Sequence, residues 1–164
     1  RNEIERRFLG SCRDDDAAGV ESLERAKVRG ERSHGPFVGQ LAEPIFIGEA
    51  GADFVAELQP APSDTVLRKP GKGAFHATGL DALLHAKGIT HLLIGGVTTE
   101  VCVQTTMREA NDRGYECLLV QDCAASYFPH FHDAVVEMVV AQGGIVGWAA
   151  PLAAVEAAFD LPHD

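Results

Sequence analysis

The residues of this sequence that could do covalent chemistry gather around Cys102. The run Gly95-Gly96-Val97-Thr98-Thr99-Glu100-Val101-Cys102 leads from an apolar strand into a helix. Backbone N–H groups without intrahelical partners, and the positive end of the helix dipole, lie at such a junction. A thiol placed there has its anion favoured, and the thiolate is the form that attacks a carbonyl carbon. The same N–H groups can hold the oxyanion of a tetrahedral intermediate, where loss of one donor typically costs about 2.7–4 kcal/mol. Local position alone leaves a second reading open, because free cysteine is also a small apolar residue that packs in cores. Of the other cysteines, Cys117 lies within an apolar strand and reads as core. Cys123 borders a strand end and reads as packing, while Cys12 sits in a polar stretch.

Three more polar side chains stand where chemistry can collect. Lys69 comes shortly after Thr65-Val66-Leu67 and directly before Pro70, at the carboxyl end of an expected short strand. A lysine there can hold a carboxylate or thiolate in its charged form or relay a proton; the alternative is a lysine that simply faces solvent. Lys72 repeats the case in the loop Pro70-Gly71-Lys72-Gly73, which lacks the spacing of a phosphate loop. Gln142 ends a helix on its apolar side, where its amide either caps the helix with Gly143 or meets a polar ligand. Cys117, Cys123, His130 and His132 have spacings unsuited to a structural zinc site, so no metal or other cofactor is expected. With no G-x-S-x-G element, a serine hydrolase of that type is disfavoured.

Positioning these groups falls to an alternation of strands and helices that begins near Pro44. Short apolar runs at 45–47, 65–67, 91–94, 117–120 and 145–148 read as strands. Helical spacing marks 52–58, 80–87, 99–113, 130–142 and 151–159, with Gly88, Gly114 and Gly143 as stops. Such alternation implies βαβ units: an α/β fold of three layers, α/β/α, around a parallel sheet. Ligands then collect at the carboxyl ends of the strands, after Lys69, Gly96 and Val120. Residues 1–43 differ in kind, being charge-rich, weakly periodic and loop-like, with Asp14-Asp15-Asp16 reading as a solvated face. The expected organisation is an irregular segment over 1–43 and the core of a single α/β domain over 44–164.

The 164 residues suit one domain and suffice to bury a core without disulfides or metal. Fourteen Lys and Arg against 24 Asp and Glu leave a net charge of −10. That balance repels nucleic acid and anionic membranes, so the expected partner is a small-molecule substrate. No apolar run approaches the roughly 18 residues of a membrane span, and the charged N-terminus is not a secretory signal. Four scattered cysteines fit reduced thiols and a cytoplasmic setting.

The stretch from Gly95 through Cys102-Val103-Gln104-Thr105-Thr106-Met107-Arg108-Glu109-Ala110 to Gly114-Tyr115 resembles the signature of the isochorismatase-like cysteine hydrolases. Asp122-Cys123-Ala124-Ala125-Ser126 is similar to that family's next strand end, and the resemblance covers about 44 to 150. The Lys69 to Phe75 loop and the Met138 to Gly144 run look most like the biuret hydrolase branch. The resemblance implies Cys102 as nucleophile, Lys69 as catalytic lysine, and Gln142 as a substrate-binding glutamine, with Lys72 helping to shape the pocket. It also implies a cis peptide at Val97-Thr98 that aims the Thr98 and Cys102 N–H groups into an oxyanion hole, with Val97 beside the substrate. The reaction implied is hydrolysis of the C–N amide bond of a small urea- or carbamoyl-type compound through a thioester, releasing ammonia. Dimers or tetramers are the implied assembly.

One departure stands out. The family's catalytic aspartate closes its first strand, and no such strand is legible here. Asp14, Asp15 and Asp16 follow no apolar run and are not assigned the role. Together with the missing initiator Met, this makes the expectation a chain lacking the first strands of the fold. The competing readings are an inactive fragment or pseudoenzyme serving as a binding or assembly module, and a hydrolase of isochorismate or nicotinamide type.

Overall fold

A computed structural model describes Phe54 and residues 59–159. The expected segment over 1–43, with Cys12 and the aspartate run, and the elements at 45–47 and, apart from Phe54, at 52–58 lie outside the described residues. Within the described chain the order is α1 (Leu80–Ala86), β1 (His91–Val97), a π-helical turn (Thr99–Val103) running into α2 (Gln104–Asp112), β2 (Glu116–Ala125), α3 (Pro129–Gly144), β3 (Trp148–Ala150) and α4 (Leu152–Phe159). The strands form a sheet in the order β1-β2-β3, and both pairings are parallel. This is the expected α/β architecture.

The layers follow from the alternation of side chains along β2. Cys117 and Leu119 face one side, where Leu92 and Ile94 of β1 meet Leu80 and Leu84 of α1, Met107 and Ala110 of α2, and Val135 and Val139 of α3. Leu118 and Val120 face the other, against Val155 of α4 with Leu93, Trp148 and Leu152 packed around them. A central strand covered on both faces has no polar side to show, which is why 117–120 is an unbroken apolar run.

Several elements depart from expectation, each for a local reason. The strand expected at 65–67 is unpaired, irregular chain, with Thr65 and Val66 exposed. Prolines at 60, 62 and 70 bracket so short a run that it never joins the ladder. β1 does not stop at Ile94 but continues through Gly95 and Gly96 to Val97. Its register against β2 jumps there, from Ile94 opposite Leu119 to Gly96 opposite Ala124. Gly95 accommodates the jump, since a Cβ at that position would lie 2.9 Å from the Cys123 carbonyl oxygen. α3 begins at Pro129, a residue suited to a first helical turn. Its dihedrals leave the helical region at Ala141 (ψ 155°), Gln142 (φ 54°) and Gly143 (φ 77°). Met138 of α3 is exposed, and its sulfur accepts a 3.5 Å contact from Gln104 Nε2.

Gly147 shows how tightly the sheet and helices meet. Its φ is +153°, and a Cβ there would lie 2.5 Å from the Cys117 carbonyl oxygen and 3.1 Å from Met107 Cε. Because the nearer neighbour is backbone of the central strand, it cannot swing aside. Gly147→Ala is expected to lower stability by at least about 2 kcal/mol, through strained dihedrals and overpacking. Urea unfolding measures this directly, and an unchanged midpoint would contradict the close approach.

Candidate active site

Cys102 stands in the π-helical turn just past the carboxyl end of β1, half-buried and in the reduced state. The peptide between Val97 and Thr98 is cis. Thr98 leads the turn in an extended conformation (φ −91°, ψ 148°), and its carbonyl accepts the N–H groups of Val101 (3.2 Å), Cys102 (3.0 Å) and Val103 (3.3 Å). The turn is anchored from the side by Thr99, a fully buried residue whose hydroxyl meets His132 Nδ1 of α3 at 3.0 Å. From within, Val103 is buried in the main core.

Lys69 is only 3% exposed, a rare condition for lysine. Its Nζ donates to the Lys72 carbonyl, so the Pro70–Gly71 bend curls back over its own ammonium. Burial pushes the lysine below its ordinary value of 10.5. Cys102, which faces it as a charge and a hydrogen-bond partner, works in the opposite direction, as does Glu109, while the charge of Lys72 adds to the lowering. The Cys102 sulfur is thus the main counterweight to burial for the Lys69 amine.

Lys69 and Cys102 line one pocket of about 110 Å³, together with Ala74, Phe75, Gly96, Val97 and Thr106. On the scale where one water needs about 10–15 Å³, that space holds several waters or one small polar molecule. Its walls are mostly apolar, which strengthens the interaction between the two polar groups inside. The arrangement can present a nucleophilic sulfur beside a proton-bearing cation to a small carbonyl compound.

The structure therefore brings together Lys69, Val97 and Cys102 from the sequence-derived set, with Thr98 forming the turn beneath the thiol. Lys69 arrives by a loop and not by the expected strand. Lys72 contributes its carbonyl, while its side chain is exposed. Gln142 is exposed and lies outside the pocket lining. Its left-handed conformation lifts it off the apolar stripe of α3, so the expectation that it ends the helix on its buried face is corrected. Cys117 is fully buried and its thiol meets the Met107 and Tyr115 carbonyls, as core chemistry requires. His132 is engaged by Thr99. Among the described residues no cluster of three metal-ligating side chains occurs. Thr106 and Glu109 were missed by sequence reading, although both sit at helical intervals after Cys102 and so share its side of the helix.

Comparison with known proteins places this geometry among relatives. Residues 19–150 match the isochorismatase domain, a span that begins well upstream of residue 44, where the motif resemblance started. A ureidoacrylate amidohydrolase RutB from Pantoea ananatis is 34% identical over 110 residues, covering 67% of this chain and 43% of the relative. The chain thus spans less than half the length of that curated relative. An isochorismatase family protein from Burkholderia thailandensis superposes with a TM-score of 0.67 at 27% identity, covering 80% of this chain and 66% of the other. An N-carbamoylsarcosine amidase from Thermoplasma acidophilum does so with a TM-score of 0.55 at 27% identity, over 63% and 57% of the two chains.

Proposed function

This chain belongs to the isochorismatase family, and we propose that it carries the nucleophilic part of a cysteine amidohydrolase acting on a small urea- or carbamoyl-type compound. The observation that carries the reading is the burial of Lys69 against Cys102 in a single small pocket. Two of the similar proteins are named for substrates of this chemistry, one a ureidoacrylate and one a carbamoylsarcosine.

In the proposed reaction the Cys102 thiolate adds to the substrate carbonyl, forming a C–S bond and an oxyanion. The Thr98 and Cys102 N–H groups are the proposed oxyanion donors. Cys102 N–H already donates to the Thr98 carbonyl, so it serves as a shared, three-centre donor, an arrangement common at helix ends. Collapse of the intermediate breaks the C–N bond, and the nitrogen leaves as ammonia after gaining a proton. Water then cleaves the thioester, returning the thiol and releasing the acid. Lys69 holds the thiolate before attack, and it is the charged side chain that lines the pocket with Cys102 among the described residues.

Biuret, ureidoacrylate, an N-carbamoyl amino acid and nicotinamide form the panel that tests this. Ammonia release from a ureido or carbamoyl compound is expected, with a transient mass increase on the Cys102 peptide after acid quench. Turnover of nicotinamide alone would replace the substrate class. Turnover that survives complete alkylation of Cys102 would overturn the mechanism.

A further inference from the structure

The polar groups surrounding Lys69 do not end at the pocket. Helix α2 presents Thr106 and Glu109 toward the loop that carries the lysine. The Ala74 N–H donates to Thr106 Oγ1 at 3.1 Å, and the same hydroxyl donates to the Cys102 carbonyl at 2.7 Å. One residue on, the Phe75 N–H donates to Glu109 Oε2 at 3.3 Å. The carboxylate of Glu109 lies directly over Gly73, where any Cβ would collide with it. The loop is closed off by Phe75, buried against the Tyr115 ring with the Arg113 guanidinium 4.8 Å above it. Arg113 is in turn held to the Glu109 carbonyl at 2.7 Å. Loop and nucleophile are therefore tied to one helix through adjacent contacts.

We propose that Glu109, with Thr106, is a positioning residue for Lys69. Its carboxylate pins the Gly73–Phe75 stretch and supplies the negative charge that keeps the ammonium directed at Cys102. This rests on the nucleophile reading above and adds a group that touches neither sulfur nor substrate. Thr106 supplies the neutral half, fixing the distance between loop and turn by bridging Ala74 to the backbone of Cys102. Glu109 supplies the charged half. Among the described residues the titratable groups that act on Lys69 are Cys102 from the turn, Lys72 from its own loop and Glu109 from α2. Of these, Glu109 is the one anion that does not itself react. Without it, the Gly73–Phe75 stretch loses its charged tie to α2 and the Lys69 ammonium loses a favourable charge.

The test reads the thiolate and needs no substrate. The chain of residues 1–164 is treated with iodoacetamide from pH 6 to 10.5, and alkylation of Cys102 is resolved from that of the other cysteines by peptide mass spectrometry. In wild type, Cys102 is expected to alkylate faster at pH 7 than the exposed Cys123. Glu109→Gln keeps the size and an acceptor for Phe75 N–H but removes the charge. It is expected to alkylate at least fivefold more slowly at pH 7 and to converge with wild type above pH 10, where the thiolate forms without help. Glu109→Asp, which keeps the charge, is expected to recover part of the loss. A Gln variant equal to wild type at pH 7 overturns the proposal, as does one slowed equally at every pH, which would mark a purely structural role. An Asp variant no faster than Gln also overturns it. A wild type whose Cys102 is no faster than Cys123 has a different meaning, because it removes the nucleophile reading itself and the positioning role with it.

Discussion

Cys102→Ala is expected to reduce ammonia release by at least about 10³-fold, while leaving the folded chain in place. Removal of a covalent nucleophile costs on this scale in hydrolases whose catalytic groups act as a unit. What survives is the modest acceleration that oxyanion donors and binding supply alone. The structural side of the substitution is small. Cys102 is half-buried, its backbone bonds to Thr98 and from Thr106 do not involve the sulfur, and only one atom is lost. The urea midpoint should therefore shift by less than about 1 kcal/mol equivalent. A folded Cys102→Ala chain that releases ammonia at the wild-type rate would sink the assignment, because no other cysteine shares the pocket among the described residues.

Lys69→Met is expected to lower turnover by about 10²- to 10⁴-fold, the range of a positioned proton-transfer group, and to change stability in the opposite sense. Burial holds the ammonium below 10.5, so folding disfavours the charged form. Between the lowered folded value and 10.5 the unfolded chain binds more protons, and the contribution of Lys69 to stability therefore improves as pH rises through that window. Below it the full penalty is present. Methionine, similar in length and uncharged, carries no such penalty. The advantage of Lys69→Met over wild type in urea unfolding should thus be greatest at pH values below that window and shrink as pH rises through it toward 10.5. Comparing the two proteins at each pH isolates this effect. Otherwise Cys117, whose thiol burial pushes up to about 12, would intrude with the opposite sign at higher pH. A stability difference that does not vary with pH would show that Lys69 is not held by burial as described.

How far the site was legible depended on which interactions carried the information. The Cys102 turn was visible because a strand, a glycine pair and a helix follow one another without interruption, and local sequence dictates local backbone. Lys69 was singled out for a reason that proved mistaken in detail. The 65–67 run is no strand, yet the lysine reaches the pocket because its loop folds back on its own carbonyl and docks on α2. Gln142 shows the reverse case. Helical periodicity placed it on a buried face, but the backbone leaves the helix one residue earlier, at Ala141. Periodicity counts residues and cannot register the residue at which a φ or ψ changes basin.

Thr106 and Glu109 mark the same boundary from the other side. Their spacing from Cys102 was readable, since helix geometry alone puts them on its side. What they face was not, because Gly73, Ala74 and Phe75 lie more than thirty residues away in the chain. By itself the sequence determined the parallel α/β pattern, the family signature and the cysteine at a helix start, all of which are written in neighbouring residues. The tertiary structure alone decided that Lys69 is buried, that Cys102 is the thiol it meets, and that a glutamate closes the arrangement. Burial and charge pairing are properties of surfaces brought together by folding, and they have no period along the chain.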